Sequence, residues 1–375
     1  MHAPAADPSA QGAAPLGLAR QYSHMEPVPG AARPAPEPPL VTLEAVRAAA
    51  ARVAGIVVRT PLLPFGEPFV GDPFGRPRTW LKPESLQPIG AFKLRGAWNA
   101  LASLTPAERA RGVVTHSSGN HAQGVARAAR ILGIRAVIVM PDDAPAIKVA
   151  GVRADGAEID VVGPAGEERI ARADALAARD GLVLIPSYDD ARIIAGQGTA
   201  GLEIAEQLAA AGYRDGPATI LCPVGGGGLA SGVATAIRAL RPDATILGVE
   251  PELAADARDS LREGRLVRWD PALTGRTSAD GMRASSLGPL TFAHLRARLD
   301  GIVTVSETEI ARAMARAARS ARLVLEPSGA TALAAACFRV DELPATGPVV
   351  ALLSGGNADP DAWAALVRTG EAAGG

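Results

Sequence analysis

The stretch ATILCPVGGGGLASGVATAIRALRPDATILGVE, residues 218–250, decides the fold. It opens with an apolar run of strand length, ATILCPV. Four glycines follow, then LASGVATAIRALRP with apolar residues at helical spacing, then the apolar run TILGVE. Strand, tight turn, helix and strand in so short a stretch make a βαβ unit, whose two strands must run parallel. The alternation continues outward on both sides. GVVTH (112–116) passes through a Ser/Gly turn into HAQGVARAARILG (121–133). RAVIVM (135–140) precedes a helix from Ala146, and EIDVV (158–162) precedes EERIARADALAARDG (167–181). Near the end VVALLS (349–354) leads through GGN to AWAALVRTG (362–370). Short β-branched runs separated by amphipathic helices predict an α/β fold with parallel sheets covered on both faces.

The chain has 375 residues, enough for two domains with filled cores. Its formal net charge of −1 offers no electrostatic footing for nucleic acid or a membrane surface. No apolar stretch approaches the roughly 18 residues needed to span a bilayer. The opening MHAPAADPSA lacks a basic segment followed by an apolar one, so it does not read as a secretion signal. Two cysteines, Cys222 and Cys337, stand far apart and outside any metal-like spacing, which suits a reducing cytoplasm. Residues 1–40, rich in Ala and Pro without a hydrophobic period, read as a disordered arm.

Three lysines, Lys82, Lys93 and Lys148, survive where arginine supplies nearly all other positive charge. A desolvated lysine can lose its proton and form a Schiff base, which a guanidinium cannot. Lys93, in GAFKLRGA (90–97), fits that chemistry; a lysine with a snorkelling stem at a helix start fits the same letters. PVGGGGLASG (223–232) links a strand to a helix, so its amides and the helix dipole suit an anion. Gly225, Gly227 and Ala230, with Glu250 about 20 residues on, also satisfy a dinucleotide pattern, so an NAD-dependent oxidoreductase stays open at this point. HSSGNHAQG (116–124) offers hydroxyls and amides at another strand-to-helix turn; His121, alone there, reads as a structural hydrogen-bonder rather than a base. In LLSGGN (352–357), Ser354 ends a parallel strand, where a hydroxyl can face a ring or simply cap a turn.

Taken in order, GAFKLRGA, HSSGNHAQG, IIAGQGTAGLEI (193–204), PVGGGGL, ADGM (279–282), LEPSGA (325–330) and LLSGGN resemble the fold type II pyridoxal-phosphate (PLP) enzymes. Within that family the chain resembles the serine/threonine dehydratases and serine racemases, from about Val41 to Asp359. Any one motif is weak; seven in order are specific, and they favour the phosphate of PLP over a dinucleotide. The resemblance implies two doubly wound open-sheet domains of the tryptophan synthase β type. Residues 112–188 would form the small domain, and residues 41–111 with 189–375 the large one, with the site in the cleft between them.

The resemblance also implies roles. Lys93 would carry PLP as a Schiff base and act as base on the α-proton, with Phe92 packed at the ring. Asn120 would bond the 3-hydroxyl, and Ser354 would face the pyridine nitrogen. The amides of Gly225, Gly226, Gly227, Gly228 and Leu229 would bind the phosphate. Ser117, Ser118, Gly119 and His121 would grip the carboxylate of a small amino-acid substrate. A hydroxyl at 354 holds the ring nitrogen less firmly protonated than a carboxylate would, which favours expulsion of a β-hydroxyl over transamination. The expected reaction is dehydration and deamination of L-threonine or L-serine to a 2-oxo acid and ammonia. Ser118 matches the racemases, where that serine is a second acid/base, so serine racemisation or 3-hydroxyaspartate dehydration is the alternative. The racemase-like members imply a cation, Mg²⁺ or Ca²⁺, on Glu250, the Ala254 carbonyl and Asp256. A homodimer is the family habit. Pro88-Ile89-Gly90 before the Phe-Lys pair, and Ser187 in IPSYDD (185–190), depart from the common pattern near the expected pocket.

Overall fold

Runs of strand length and runs of helix length alternate through the computed structural model, which describes residues 38–68 and 77–374. The arm expected over residues 1–40 lies outside the described residues except for its last three. In chain order the elements are α1 (Leu43–Val53), β1 (Leu63–Pro68), β2 (Pro77–Pro83), α2 (Lys93–Ala102), α3 (Pro106–Arg111), β3 (Val113–His116), α4 (Asn120–Leu132) and β4 (Ala136–Pro141). Then come α5 (Ala146–Ala154), β5 (Glu158–Val162), α6 (Gly166–Asp180), β6 (Val183–Leu184), α7 (Ala191–Ala210), β7 (Thr219–Pro223) and α8 (Gly228–Leu240). The chain continues with β8 (Thr245–Pro251), α9 (Asp256–Glu263), α10 (Pro271–Thr274), α11 (Pro289–Arg298), β9 (Gly301–Val305) and α12 (Glu307–Arg316). It closes with α13 (Pro327–Phe338), β10 (Val349–Leu353) and α14 (Pro360–Ala372).

The βαβ unit read at 218–250 is β7-α8-β8, in the middle of a six-stranded sheet of order β1-β2-β10-β7-β8-β9. A four-stranded sheet, β5-β4-β3-β6, is parallel throughout. The larger sheet is parallel except at one edge, where β1 runs antiparallel to β2. That edge departs from the all-parallel expectation. A short hairpin-like pair needs no crossover helix, so it leaves no alternation to read.

Strand residues of the larger sheet feed two cores in turn. Val349, Ala351 and Leu353 pack with Ile310 and Met314 of α12 and Leu333 of α13. Val350 and Leu352 pack with Ile204 and Leu208 of α7 and Val233 and Ile237 of α8. Burial on both faces is why these strands carry unbroken apolar runs. The smaller sheet shares its core with α2: Trp98 and Leu101 meet Val125 and Ala129 of α4 and Ile138 and Met140 of β4. Helix α2, which begins at Lys93, is thereby held where the two sheets meet.

Candidate active site

Some helix starts carry a side-chain cap and others, α5, α6, α9 and α13 among them, do not. Asp190 caps α7, Ser306 forms a capping box with Glu309 at α12, and Asp359 caps α14. The first turns of α2, α4 and α8 have no side-chain cap. At α8 the cap position is Gly227, with φ of +87°, a conformation that a side chain would strain. None of the amides from Gly225 to Leu229 donates to an acceptor among the described residues. Uncapped amides at the positive end of a helix suit a phosphate. The ring of Tyr188 lies over this turn so closely that a Cβ at Gly226 would collide with it.

Backbone bonds bring the distant motifs together. Ala91 pairs with Gly355 in an isolated bridge, the Phe92 amide donates to the Ser354 carbonyl at 3.0 Å, and the Gly356 amide donates to the Gly90 carbonyl at 2.8 Å. GAFK and SGGN are thus laced side by side. The Glu326 amide donates to the Gly355 carbonyl at 3.1 Å, adding LEPSGA to the same cluster. Ser354 Oγ donates to the Ser328 carbonyl at 3.2 Å, and Ser328 Oγ accepts the Gly281 amide at 3.0 Å, which brings in ADGM. Asn120 joins from the far side: its Oδ1 accepts from Asn357 Nδ2 at 2.9 Å, and its Nδ2 donates to Glu326 Oε1 at 2.5 Å. Helix α4 also packs at Gly124 against the Lys93 carbonyl.

Lys93 differs from the other two lysines. Lys82 pairs with Glu203 at 2.5 Å and Lys148 with Asp280 at 2.5 Å. Among the described residues no carboxylate pairs with Lys93. Its Nζ donates to the Ser187 carbonyl at 2.8 Å and lies 5.2 Å from the centre of the Phe92 ring. The residue keeps some open surface, but enclosure of the amine brings its pKa down to about 8. An amine desolvated without a counter-ion is the kind that reacts with a carbonyl.

The turn after β3 holds Ser117, Ser118, Gly119 and Asn120, all half-buried. Ser117 Oγ accepts the Gly119 amide at 3.2 Å. His121 is turned inward: it is buried, its Nε2 meets the Ile185 carbonyl at 3.2 Å, and burial, then the Lys93 charge, lowers its pKa to about 3. It stays neutral and beneath the turn, apart from the open part of the loop.

Two of the residues around this site were silent in the motifs. Arg95, two residues past Lys93, is fully buried. Its guanidinium grips Glu84 at 2.7 and 2.8 Å and Glu203 at 2.7 and 2.9 Å. Glu203 and Thr199, which also accepts from Arg95 at 3.0 Å, explain the IIAGQGTAGLEI segment: α7 anchors the first turn of α2. The second is Glu326, whose oxygens face Asn120 and Lys148. A glutamate within an apolar run requires a partner, so Glu326, and Glu203 as the partner of Arg95, were the signals that could have been followed.

Glu250 lies near the end of β8, the strand paired with β7, and Asp256 opens α9. Each Glu250 oxygen accepts one α9 amide, Ala257 N at 3.0 Å and Arg258 N at 2.8 Å. A carboxylate so engaged and fully buried is not placed to reach a ribose, which removes the support for a dinucleotide. Asp256 is buried, and its Oδ2 has no hydrogen-bond partner among the described residues. Burial, then the Asp256 charge, holds the Glu250 pKa well above the carboxylate range; burial likewise raises that of Asp256. Two buried acids with an open oxygen fit a hard cation in kind, with the buried Ala254 between them in sequence. Among the described residues no cluster of three or more His, Cys, Asp or Glu side chains surrounds that spot. Nor is any described helix long and apolar enough to cross a membrane.

Comparisons with known proteins agree with this geometry. The L-threo-3-hydroxyaspartate ammonia-lyase of Saccharomyces cerevisiae is 40% identical over 316 residues, covering 84% of this chain and 93% of the relative. The serine racemase of Schizosaccharomyces pombe is 39% identical over 328 residues, covering 87% and 97%. The crystal structure of a T.th. threonine deaminase superposes with a TM-score of 0.76 at 44% identity, over 85% of this chain and 99% of that one. Residues 53–355 match the family described as pyridoxal-phosphate dependent enzyme. The match spans Lys93, the uncapped glycine turn and the strand that ends at Ser354, so the chain belongs to the fold type II pyridoxal-phosphate dependent enzymes, among relatives named as ammonia-lyases and racemases.

Proposed function

We propose that this protein converts L-threonine or L-serine to a 2-oxo acid and ammonia, expelling the β-hydroxyl as water and taking water back as the released imine hydrolyses, with Lys93 holding PLP and the amides of Gly225 to Leu229 holding its phosphate. The observation that carries this is the enclosed Lys93 amine, unpaired among the described residues, on a turn laced to a strand that ends in a neutral serine. PLP bound there supplies an electron sink for the substrate's α-carbon. Lys93 Nζ, whose pKa burial brings down to about 8, takes the α-proton. The hydroxyls and amides of Ser117, Ser118 and Gly119 grip the substrate carboxylate. Ser354 brings no negative charge to the pyridine nitrogen, its hydroxyl being directed to the Ser328 carbonyl. Release of 2-oxo acid from L-threonine, L-serine, D-serine and 3-hydroxyaspartate tests the reading; a cofactor-loaded protein that released none from any of them would overturn it.

Serine racemisation or 3-hydroxyaspartate dehydration is the second reading, supported by Ser118 and by the names of two relatives. A half-buried hydroxyl on the turn can return a proton to the face that Lys93 does not serve. Ser118→Ala then abolishes exchange between L- and D-serine and leaves elimination from L-serine within about threefold. Chiral chromatography alongside 2-oxo acid release checks this, and equal loss of both counts against a separate role for Ser118.

Glu250, the Ala254 carbonyl and Asp256 would hold Mg²⁺ or Ca²⁺. A cation there satisfies Asp256 Oδ2 and relieves the repulsion between the two acids. At one hundred times its dissociation constant, such an ion stabilises the fold by about 2.7 kcal/mol. Thermal unfolding with and without either ion measures it. Asp256→Asn removes the response, and a wild type that responds to neither ion ends the proposal.

A further inference from the structure

A polar chain runs from one backbone carbonyl to the remaining lysine, and its direction is set link by link. The Ile89 carbonyl can only accept, so Asn357 Nδ2 donates to it at 2.7 Å. The other hydrogen of that amide goes to Asn120 Oδ1 at 2.9 Å. Asn120 must then present its NH₂ group to Glu326, at 2.5 Å, and one hydrogen of that group is left over. The order holds only while Glu326 acts purely as an acceptor. Protonated, it could donate to Asn120 and let the amide turn over.

What keeps Glu326 an acceptor comes from the other sheet. Lys148 lies on α5, beside the four-stranded sheet, and is buried. Its Nζ meets Asp280 Oδ2 at 2.5 Å and Glu326 Oε2 at 3.3 Å, both residues in segments flanking the six-stranded sheet. A Cβ on Gly119 would sit 3.4 Å from the same Nζ, so the ammonium also underlies the turn next to Asn120. Burial alone lifts the Glu326 carboxyl, Lys148 pulls it back down, and Asp280 pushes it up, leaving it at about 6. Burial opposes charge on Lys148 too, but Glu326 and Asp280 together raise its pKa. Remove the cation, and the buried Glu326 carboxylate faces the half-buried Asp280 with no counter-charge between them, which favours a proton on Glu326.

We infer that Lys148 is a positioning residue: by holding Glu326 as an anion it locks the Asn120 amide with its free N–H toward the cofactor ring oxygen. This rests on the PLP reading and deepens it. ADGM and LEPSGA gain a shared purpose, carrying the two acids that seat one lysine. The buried ammonium of the smaller sheet acts on the ring without touching it, so the arrangement of the two sheets is coupled to the cofactor's electronics.

The test uses the full-length holoenzyme and the pH titration of its visible absorbance band, with kcat and KM alongside. An N–H donated to the ring oxygen favours its anion, so Lys148→Met moves the midpoint upward by about one pH unit. It lowers kcat roughly tenfold with KM within about threefold, and Lys148→Arg restores most of both. In an Asn120→Ala background the same substitution moves the midpoint by less than roughly 0.3 of a unit, because the link it acts through is gone. A shift of equal size in both backgrounds, or none in either, overturns the inference. Should Lys148→Met not fold, Glu326→Gln is read the same way: a shift lost with Asn120→Ala supports it, and one that persists overturns it. Absence of any visible band in the wild type would instead sink the PLP reading itself.

Discussion

Lys93→Ala abolishes the visible absorbance of the protein as purified and lowers 2-oxo acid release by roughly 10⁴-fold, the upper range for removing a positioned base. Lys93 is the lysine with which no carboxylate among the described residues pairs, and its amine is enclosed. Its amine meets the Ser187 carbonyl and the Phe92 ring, and burial brings its pKa to about 8. At pH 7 about one amine in ten is then neutral, against roughly one in several thousand for an ordinary lysine. Loading of the cofactor-free protein with PLP should therefore quicken as pH rises and level off above about 8. A rate still climbing steeply at pH 10 would mean that the amine is not desolvated. Borohydride treatment of the wild type should fix the cofactor to the peptide containing residue 93. Fixation on Lys82 or Lys148 would refute the assignment, and both of those start from ion pairs they would have to break.

Arg95→Met destabilises the fold by about 3–5 kcal/mol, the usual cost of leaving buried charges without their partner. Four charged groups form the cluster: Arg95 and Lys82 against Glu84 and Glu203. Glu84 also accepts from Thr60 at 2.8 Å and Gln87 at 3.0 Å, and Lys82 donates to the Thr60 carbonyl at 2.7 Å. Charges balance while Arg95 is present. Without it Glu84 is buried with no cation in direct contact among the described residues, which drives it to take up a proton, while Lys82 keeps its ion pair with Glu203. Arg95→Lys should recover little, because an ammonium cannot donate along two edges to two carboxylates at once. Urea unfolding followed by far-UV circular dichroism gives the difference. A loss under about 1 kcal/mol would show that the cluster relaxes or admits water. Because Arg95 lies within the first turn of α2, the variant should also bind PLP less tightly than its residual folded fraction accounts for.

Much of this architecture was legible before any coordinates. The βαβ unit at 218–250, the strand-helix pairs from Val113 to Asp180 and the strand before SGGN all lie where their apolar periods put them. Those elements are buried on both faces or amphipathic, and burial writes itself into composition. The β1–β2 edge was not legible, since an antiparallel pair of short strands leaves neither a crossover helix nor a long apolar run. The motif on long α7 has no visible task in the letters alone; only its position beside α2 explains why it carries Thr199 and Glu203.

By itself the sequence determined which groups have the chemistry: a lysine kept among arginines, glycines that leave amides open, and a serine where a strand ends. Each is a local property of residue type and neighbours. Which lysine is unpaired, which carboxylates face which cations, and which way Asn120 points were decided only by tertiary structure. Charges and amide dipoles act through a few ångströms of space, and the partners that set them lie 94 residues from Lys93, 206 from Asn120 and 132 from Lys148 along the chain.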